Sequence, residues 1–138
     1  MRIMAVDYGK KRVGIALTDP LGIISQPLLT IQVRSQKALL RKIITIINEN
    51  DVGLILIGNP LSHKGEATEM SSEIERFVKR LKEKKDIEIK LWDERFTSQY
   101  ATNMLKTMNI KKKRGAVDQI AASIMLDEFL RSGSACAT

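Results

Sequence analysis

Apolar residues recur along this chain with two periods, one typical of strands and one of helices. The first apolar run, Ile3 to Val6, ends at Asp7, and a second run from Val13 to Leu17 follows a basic, glycine-containing turn. Two runs joined in this way predict a β-hairpin. Ile23 to Ile31 has the pattern of a third strand, and Pro27 places it at a sheet edge because proline has no N–H to donate. We therefore expect a three-stranded antiparallel meander.

Strand and helix patterns alternate after this meander. Apolar residues at helical spacing predict helices from Ser35 to Asn50 and from about Ala67 to Lys84, whereas Val52 to Gly58 and Ile87 to Trp92 have the pattern of strands. Strands separated by helices of this length pair in parallel through right-handed crossovers. The pattern predicts an α/β fold with a central mixed five-stranded sheet, the meander plus two parallel strands, flanked by helices on both faces.

Two further helices are predicted in the last third of the chain. One is capped by Thr97 or Ser98 and ends near Asn109, and the other runs from about Ala116 to Arg131. The expected apolar stripe of the last helix consists of Val117, Ile120, Ala121, Ile124 and Met125, with Asp118 in the first turn at the edge of that stripe. We expect residues 1–131 to form a single domain and residues 132–138 a flexible tail.

Charge favours a polyanionic partner. Lys and Arg number 23 against 16 acidic residues, for a net charge of +7, and the bases cluster at Lys10 to Arg12 and at Lys111 to Arg114. Such clusters suit nucleic acid, although a basic run is also an ordinary solvated surface. With 43% apolar and 28% charged residues, the composition is that of a globular protein rather than a disordered or membrane protein.

Nothing in the sequence indicates export or membrane insertion. The longest apolar run, Val52 to Ile57, is much too short for a bilayer span, and Asp7 interrupts the N-terminal apolar stretch that a signal peptide would need. The single cysteine, Cys136, can form no internal disulfide. We therefore expect a cytoplasmic protein.

Polar side chains stand at the ends of three predicted strands. Asp7 ends the first strand, Asn59 follows the fourth, and Glu94 follows the fifth. Because ligands of open α/β sheets bind at the carboxyl ends of the strands, we expect these groups to share one edge, with Asp118 completing the cluster from the last helix. Gly9 would leave room beside the backbone for a phosphate or a metal ion.

The donor atoms of this cluster are oxygens, which favours Mg²⁺ or Mn²⁺. Two such ions would clamp the attacking water and the leaving oxygen of a phosphodiester, and one ion would still activate the water. Structural interpretations of the same residues stay open: Asp7 and Gly9 are common in tight turns, Asp118 suits the positive end of a helix dipole, and the lone His63 is a loop residue rather than a ligand.

Four ordered motifs give the chain a family resemblance. They are Asp-Tyr-Gly-Lys-Lys-Arg-Val-Gly-Ile-Ala at 7–16, Gly-Asn-Pro-Leu at 58–61, Asp-Glu-Arg-Phe-Thr-Ser at 93–98 and Val-Asp-Gln-Ile-Ala-Ala at 117–122. Together they resemble the YqgF-type family of the ribonuclease H-like fold, over nearly the whole chain. The resemblance implies a bacterial cytoplasmic nuclease, a type first proposed to resolve Holliday junctions and later assigned to 5′-end maturation of the precursor of 16S ribosomal RNA.

By motif position, the resemblance assigns the family's acidic residues to Asp7, Glu94 and Asp118. The chain departs from the family in the third loop, where Gly-Leu-Pro and Asn-Met-Asp-Gly are usual. Here Asn59 and the sequence from Ser62 to Gly65 stand instead, so the substrate contacts of that loop do not carry over.

Candidate nucleic-acid contacts flank the acidic residues in sequence. The predicted phosphate-binding residues are Lys10, Lys11, Arg12, Arg95, Lys111, Lys112, Lys113 and Arg114, and Tyr8, Phe96 and Tyr100 are candidates for base stacking. RNA with single-stranded character is favoured over a four-way DNA junction, because symmetric junction cleavage needs a dimer and a chain with only 4% aromatic residues shows no self-complementary patch. We therefore favour a monomer, with a dimer as the alternative, and expect ribosomal precursor particles among the partners and no membrane.

Two other classes share parts of this pattern. Actin-like and sugar-kinase ATPases also begin with a strand, an aspartate and a glycine-containing hairpin, but they bind nucleotide between two lobes, and 138 residues make only one. The other class is a non-catalytic RNA-binding or ribosome-associated factor that keeps the fold for its basic face. Nucleotide titration and a metal-dependent cleavage assay separate the three classes.

Overall fold

The computed structural model describes residues 1–59, 68–93 and 114–132. Within these ranges the strands are β1 (Arg2–Asp7), β2 (Arg12–Thr18), β3 (Ser25–Gln32), β4 (Val52–Asn59) and β5 (Glu88–Asp93). The helices are α1 (Gln36–Glu49), α2 (Glu69–Lys84) and α3 (Arg114–Arg131). The predicted helix between Thr97 and Asn109 and the predicted tail beyond Ser132 lie outside the described residues.

The five strands form one sheet with the order β3-β2-β1-β4-β5. β1 pairs antiparallel with β2 and parallel with β4, β2 pairs antiparallel with β3, and β4 pairs parallel with β5. The predicted meander plus two parallel strands is confirmed, and Pro27 lies on the edge strand as its missing N–H requires.

β3 begins two residues later than predicted, because the preceding residues form a turn. The carboxylate of Asp19 accepts hydrogen bonds from the backbone N–H groups of Leu21, Ile23 and Ile24. The N–H of Ile24, followed by those of Ile23 and Leu21, holds the pKa of Asp19 below its ordinary value. Ile23 and Ile24 therefore belong to the turn and are 66% and 58% exposed.

Helices cover both faces of the sheet. Alternate β1 residues enter two separate apolar clusters: Met4 and Val6 pack with α1 and α2, whereas Ile3 and Ala5 pack with α3. The first cluster includes Leu39, Ile43, Ile55, Ile57, Ile74, Phe77 and Leu81, and the second includes Leu54, Leu56, Ala122, Met125, Leu126 and Phe129. We call the two sides the α1/α2 face and the α3 face.

The helix starts follow ordinary capping chemistry. Ser35 is the N-cap of α1, as predicted, and its hydroxyl accepts a hydrogen bond from the Ala38 N–H at 3.0 Å. Thr68 caps α2 through a reciprocal bond with Ser71. Within the described ranges, no helix combines the length and apolar character that crossing a bilayer would require.

α3 differs from its prediction in both start and orientation. It begins at Arg114, so Asp118 is its fifth residue and no acid lies in its first turn. The prediction that Asp118 lies in the first turn is wrong, and the structural alternative of a charge that stabilises the helix dipole there does not apply. The buried stripe consists of Ala122, Met125, Leu126 and Phe129. Of these four residues, only Met125 belongs to the predicted stripe. Apolar residues occur on nearly every side of this helix, so its spacing alone could not select the buried one.

The corrected stripe changes the position of Asp118. Asp118 precedes Ala122 by four residues and Met125 by seven, the spacing of one helix face. It therefore extends the buried stripe toward the start of α3, and its side chain is only 23% exposed. The helix presents this carboxylate to the sheet.

Candidate active site

Asp7 is the last residue of β1, and strand alternation decides the face on which its side chain lies. Ile3 and Ala5 lie in the α3-face core, and side chains two residues apart share a face of a strand. The carboxylate of Asp7 therefore lies on the α3 face, at the carboxyl end of the central strand. This is the face to which α3 presents Asp118.

A close approach between α3 and β2 brings the two acids together. A Cβ atom on Gly14 would overlap the backbone carbonyl group of Asp118, so only glycine lets the helix come this near. Gly14 is also the register partner of Asp7, and directly opposed residues of antiparallel strands have Cα atoms about 4.5–5.5 Å apart. Asp118 is thus placed beside the strand end that carries Asp7.

Arg12, the first residue of β2, pairs with Asp118. Its Nε donates a hydrogen bond to Asp118 Oδ2 at 2.9 Å, and the two side chains are 33% and 23% exposed. A partly exposed pair of this kind contributes at most about 1 kcal/mol to stability. The main consequence of this pair is to orient the Asp118 carboxylate. It also places a cation at the edge of the site formed by Asp7 and Asp118, which we call the acidic centre.

The other residues of the β1–β2 turn have different surroundings. Lys10 lies toward α2, with its Nζ 3.4 Å from Glu69 Oε1 and 3.9 Å from Glu73 Oε1. A Cβ on Gly9 would overlap the carbonyl oxygen of Arg12. Glycine at this position therefore closes the turn and does not leave room for a phosphate or a metal ion.

Tyr8 does not fit its predicted stacking role. Its ring is only 6% exposed and packs against Phe77 with the ring centroids 5.3 Å apart. The prediction of Tyr8 as a base-stacking residue is wrong. Tyr8 follows Asp7 directly, so strand alternation places its ring on the other face, in the core of the α1/α2 face.

Asn59 shares the sheet edge with Asp7 but not its face. It is the last residue of β4 rather than a residue after it, and it lies two positions beyond Ile57, which is buried on the α1/α2 face. Its Oδ1 is buried and has no hydrogen-bond partner among the described residues. Asn59 therefore lies at the predicted sheet edge, but strand alternation places its side chain on the face opposite that of Asp7.

Lys11 is exposed in the β1–β2 turn, whereas Glu94, Arg95, Lys111, Lys112 and Lys113 lie outside the described residues, as does His63. Arg114 is the first residue of α3. Among the side chains that the structure describes, no three potential metal ligands cluster together. Asp7 and Asp118, which lie on the same face of the sheet, carry the oxygen donors that a hard divalent cation prefers.

Two solved structures resemble this fold over nearly its whole length. RuvC of Thermus thermophilus in complex with a Holliday junction substrate has a TM-score of 0.62 with 9% sequence identity, over 97% of each chain. The fowlpox virus Holliday junction resolvase has a TM-score of 0.56 with 15% identity, over 96% of this chain and 99% of that one. At such identities the likeness shows the fold alone, and it confirms the predicted ribonuclease H-like architecture.

Closer relatives share over a third of the sequence. Proteins named "Putative pre-16S rRNA nuclease" match at 36% identity in Roseiflexus, over 95% of this chain and 94% of the relative, and at 38% in Thermoanaerobacter pseudethanolicus, over 96% and 97%. A third, from Flavobacterium psychrophilum, is 40% identical over 94% and 96%. Fold and relatives together define a nuclease, a hydrolase that acts on ester bonds. Residues 1–132 match the family RuvX, described as "Holliday junction resolvase", and the chain belongs to that family.

Proposed function

We propose that this protein is a divalent-metal-dependent nuclease that cleaves RNA in 5′-end maturation of the precursor of 16S ribosomal RNA. The observation that carries the proposal is the contact of the Asp118 backbone with Gly14, the register partner of Asp7. It supports the grouping of two carboxylates on one face of the sheet, at the edge where α/β proteins bind ligands. The names of the curated relatives support the choice of substrate. The proposal includes a cytoplasmic, monomeric protein.

In this proposal Asp7 and Asp118, together with Glu94 directly after β5 in the sequence, hold Mg²⁺ or Mn²⁺. A bound ion of this kind supplies a hydroxide-like nucleophile near neutral pH and offsets charge that develops on the phosphate oxygens. The chain contributes the orientation of the carboxylates: Gly14 sets the distance of α3 from the sheet, and Arg12 holds the Asp118 side chain.

Arg12 has two roles that oppose each other in this site. Its guanidinium neutralises Asp118, and it also attracts the phosphates of the substrate. In Arg12→Gln we expect half-maximal activity at a lower Mg²⁺ concentration, because the carboxylate loses a competing cation, and a higher KM for RNA, because a phosphate contact is lost. Mg²⁺ titrations at several RNA concentrations measure both quantities.

Arg131→Gln is the matched control for this change, because Arg131 pairs with Asp127 at 3.0 Å near the far end of α3. It should leave both quantities near the wild-type values. A rise in the Mg²⁺ requirement of Arg12→Gln would contradict the competition between Arg12 and the ion.

The substrate is tested by offering a precursor 16S ribosomal RNA fragment and a four-way DNA junction at equal concentration, with Mg²⁺, with Mn²⁺ and with a chelator, while light scattering follows the mass. We expect RNA cleavage by a monomer that stops when the metal is removed. Symmetric junction cleavage by a dimer, with the RNA left intact, would instead support a resolvase, the function named in the family description. Tight RNA binding without cleavage under any metal would indicate a non-catalytic RNA-binding factor.

A further inference from the structure

A cleft lies on the side of the sheet opposite the acidic centre. It has a volume of about 380 Å³ and is lined by Tyr8, Lys10, Gln36, Glu73, Arg76 and Arg80. These residues come from the end of β1, the β1–β2 turn, the first residue of α1 and the outer side of α2. We call it the α1/α2 cleft.

The charge of the α1/α2 cleft is not balanced within the described residues. Glu73 is within 3.9 Å of the Lys10 ammonium, whereas Arg76 and Arg80 form no ion pair with any described acid. The two arginines are four residues apart on α2, a spacing at which like charges face each other and destabilise a helix. Two unneutralised guanidinium groups on one wall of a cleft are suited to binding an anion.

A hydrogen bond holds Arg80 in place on this wall. Gln36 Oε1 accepts hydrogen bonds from Arg80 Nη2 at 3.3 Å and from the Tyr8 hydroxyl at 3.2 Å. The Tyr8 ring is in turn packed on Phe77. One guanidinium N–H group of Arg80 is thus used to fix its position, and the others are left to contact a ligand. An anchored arginine loses less conformational entropy on binding than a free one.

We propose that the α1/α2 cleft binds backbone phosphates of a single-stranded RNA segment that flanks the segment at the acidic centre. This inference rests on the proposed nuclease function. Asp7 and Tyr8 are consecutive, so the acidic centre and the cleft lie on opposite faces at the same strand end. An RNA segment that leaves Asp7 and Asp118 would reach Arg76 and Arg80 by crossing the β1–β2 turn. The one aromatic residue lining the cleft is buried, so the cleft offers phosphate contacts without a stacking surface for a base.

The test measures RNA affinity as a function of salt concentration for wild type and for Arg76→Gln/Arg80→Gln, by fluorescence anisotropy in chelator to prevent cleavage. With an RNA of about 16 nucleotides, loss of two phosphate contacts should flatten the log-log salt slope by about 1.4. Over the decade from about 1 M to 0.1 M salt this corresponds to roughly 25-fold weaker binding at the lower concentration. An RNA of about 4 nucleotides should bind both proteins similarly, because it cannot span the turn.

Lys79→Gln/Lys82→Gln is the charge-matched control, since it also removes two exposed cations from α2 but neither residue lines the cleft. Equal weakening by both double variants would overturn the proposal in favour of a diffuse field effect. Inorganic phosphate and a nucleoside monophosphate are titrated in parallel. The other contrary outcome is that one of these compounds binds saturably to wild type and not to Arg76→Gln/Arg80→Gln, while the salt slope for RNA stays unchanged. That result would assign the cleft to a small phosphate compound and would overturn the RNA proposal.

The two proposals fail separately. If Asp7→Asn cleaves RNA like wild type while Arg76→Gln/Arg80→Gln shows the flatter salt slope, the acidic site is wrong and the cleft stands. If Asp7→Asn is inactive while the arginine variant binds like its control, the nuclease site stands and the cleft is wrong.

Discussion

Asp7→Asn is expected to reduce RNA cleavage by about 10²-fold or more at saturating Mg²⁺. The amide keeps the size of the side chain at the end of β1 but removes the negative charge that would hold the ion, and metal-ion catalysis supplies several kcal/mol, of which about 3 kcal/mol corresponds to 10²-fold. Asp118→Asn should behave similarly, since Gly14 brings both residues to one place. Single-turnover cleavage of a labelled precursor RNA fragment measures the effect.

Asp51→Asn is the control for this experiment. Asp51 is exposed, lies outside the site and has a φ of 51°, which asparagine tolerates as readily as aspartate does. It should cleave at the wild-type rate and keep the wild-type melting temperature, as should Asp7→Asn, whereas Asp118→Asn loses at most the small contribution of its pair with Arg12. Wild-type cleavage by Asp7→Asn would show that the assigned site is wrong.

Gly14→Ala is expected to impair both stability and cleavage. The new methyl group would overlap the Asp118 carbonyl, a backbone group of α3 that cannot move without the helix. Overpacking of this kind costs about 1–3 kcal/mol, which lowers the melting temperature by about 3–10 °C for a chain of this size. Displacing Asp118 by about 1 Å would also lower the cleavage rate about 10²-fold.

Gly53→Ala is the matched control, because it places the same methyl group in another strand of the same sheet. There the methyl would meet only the Met1 side chain, which can move aside. Alanine also loses less backbone entropy on folding than glycine, so this variant should be as stable as wild type or slightly more stable. If Gly14→Ala melts and cleaves like Gly53→Ala, the close approach of α3 does not position the site.

The antiparallel meander and the parallel pairing of the later strands were accessible from the sequence because each relevant signal is local. A hairpin, a proline on the third strand and a helix before each of the last two strands predict these pairings, whereas the order of β4 and β5 beside β1 came only from the structure. The orientation of α3 was not accessible, because Val117, Ile120 and Ala121 are as apolar as Ala122 and Leu126. Packing against the sheet, rather than hydrophobic spacing, decides which of them is buried.

The site residues likewise divide into those that a local sequence signal reveals and those that only tertiary packing reveals. Asp7 is recognisable because it ends a strand, whereas the role of Gly14 depends on a helix that begins a hundred residues later. Asn59 shares the predicted edge with Asp7, but the prediction did not include alternation along β4, which places the two side chains on opposite faces. Arg76 and Arg80 were missed because two arginines on the outer side of a helix look like solvated surface. Their like-charge spacing was the available signal.

The contact between Arg12 and Asp118 joins residues 106 positions apart. During synthesis the N-terminal hairpin emerges early and can pair with itself, but the second acid reaches the sheet only after α3 has been made and has docked. A chain still attached to a translating ribosome therefore holds Asp7 without its partner until synthesis passes residue 118. If Asp7 and Asp118 act together as proposed, the topology makes hydrolytic competence depend on the synthesis and docking of α3.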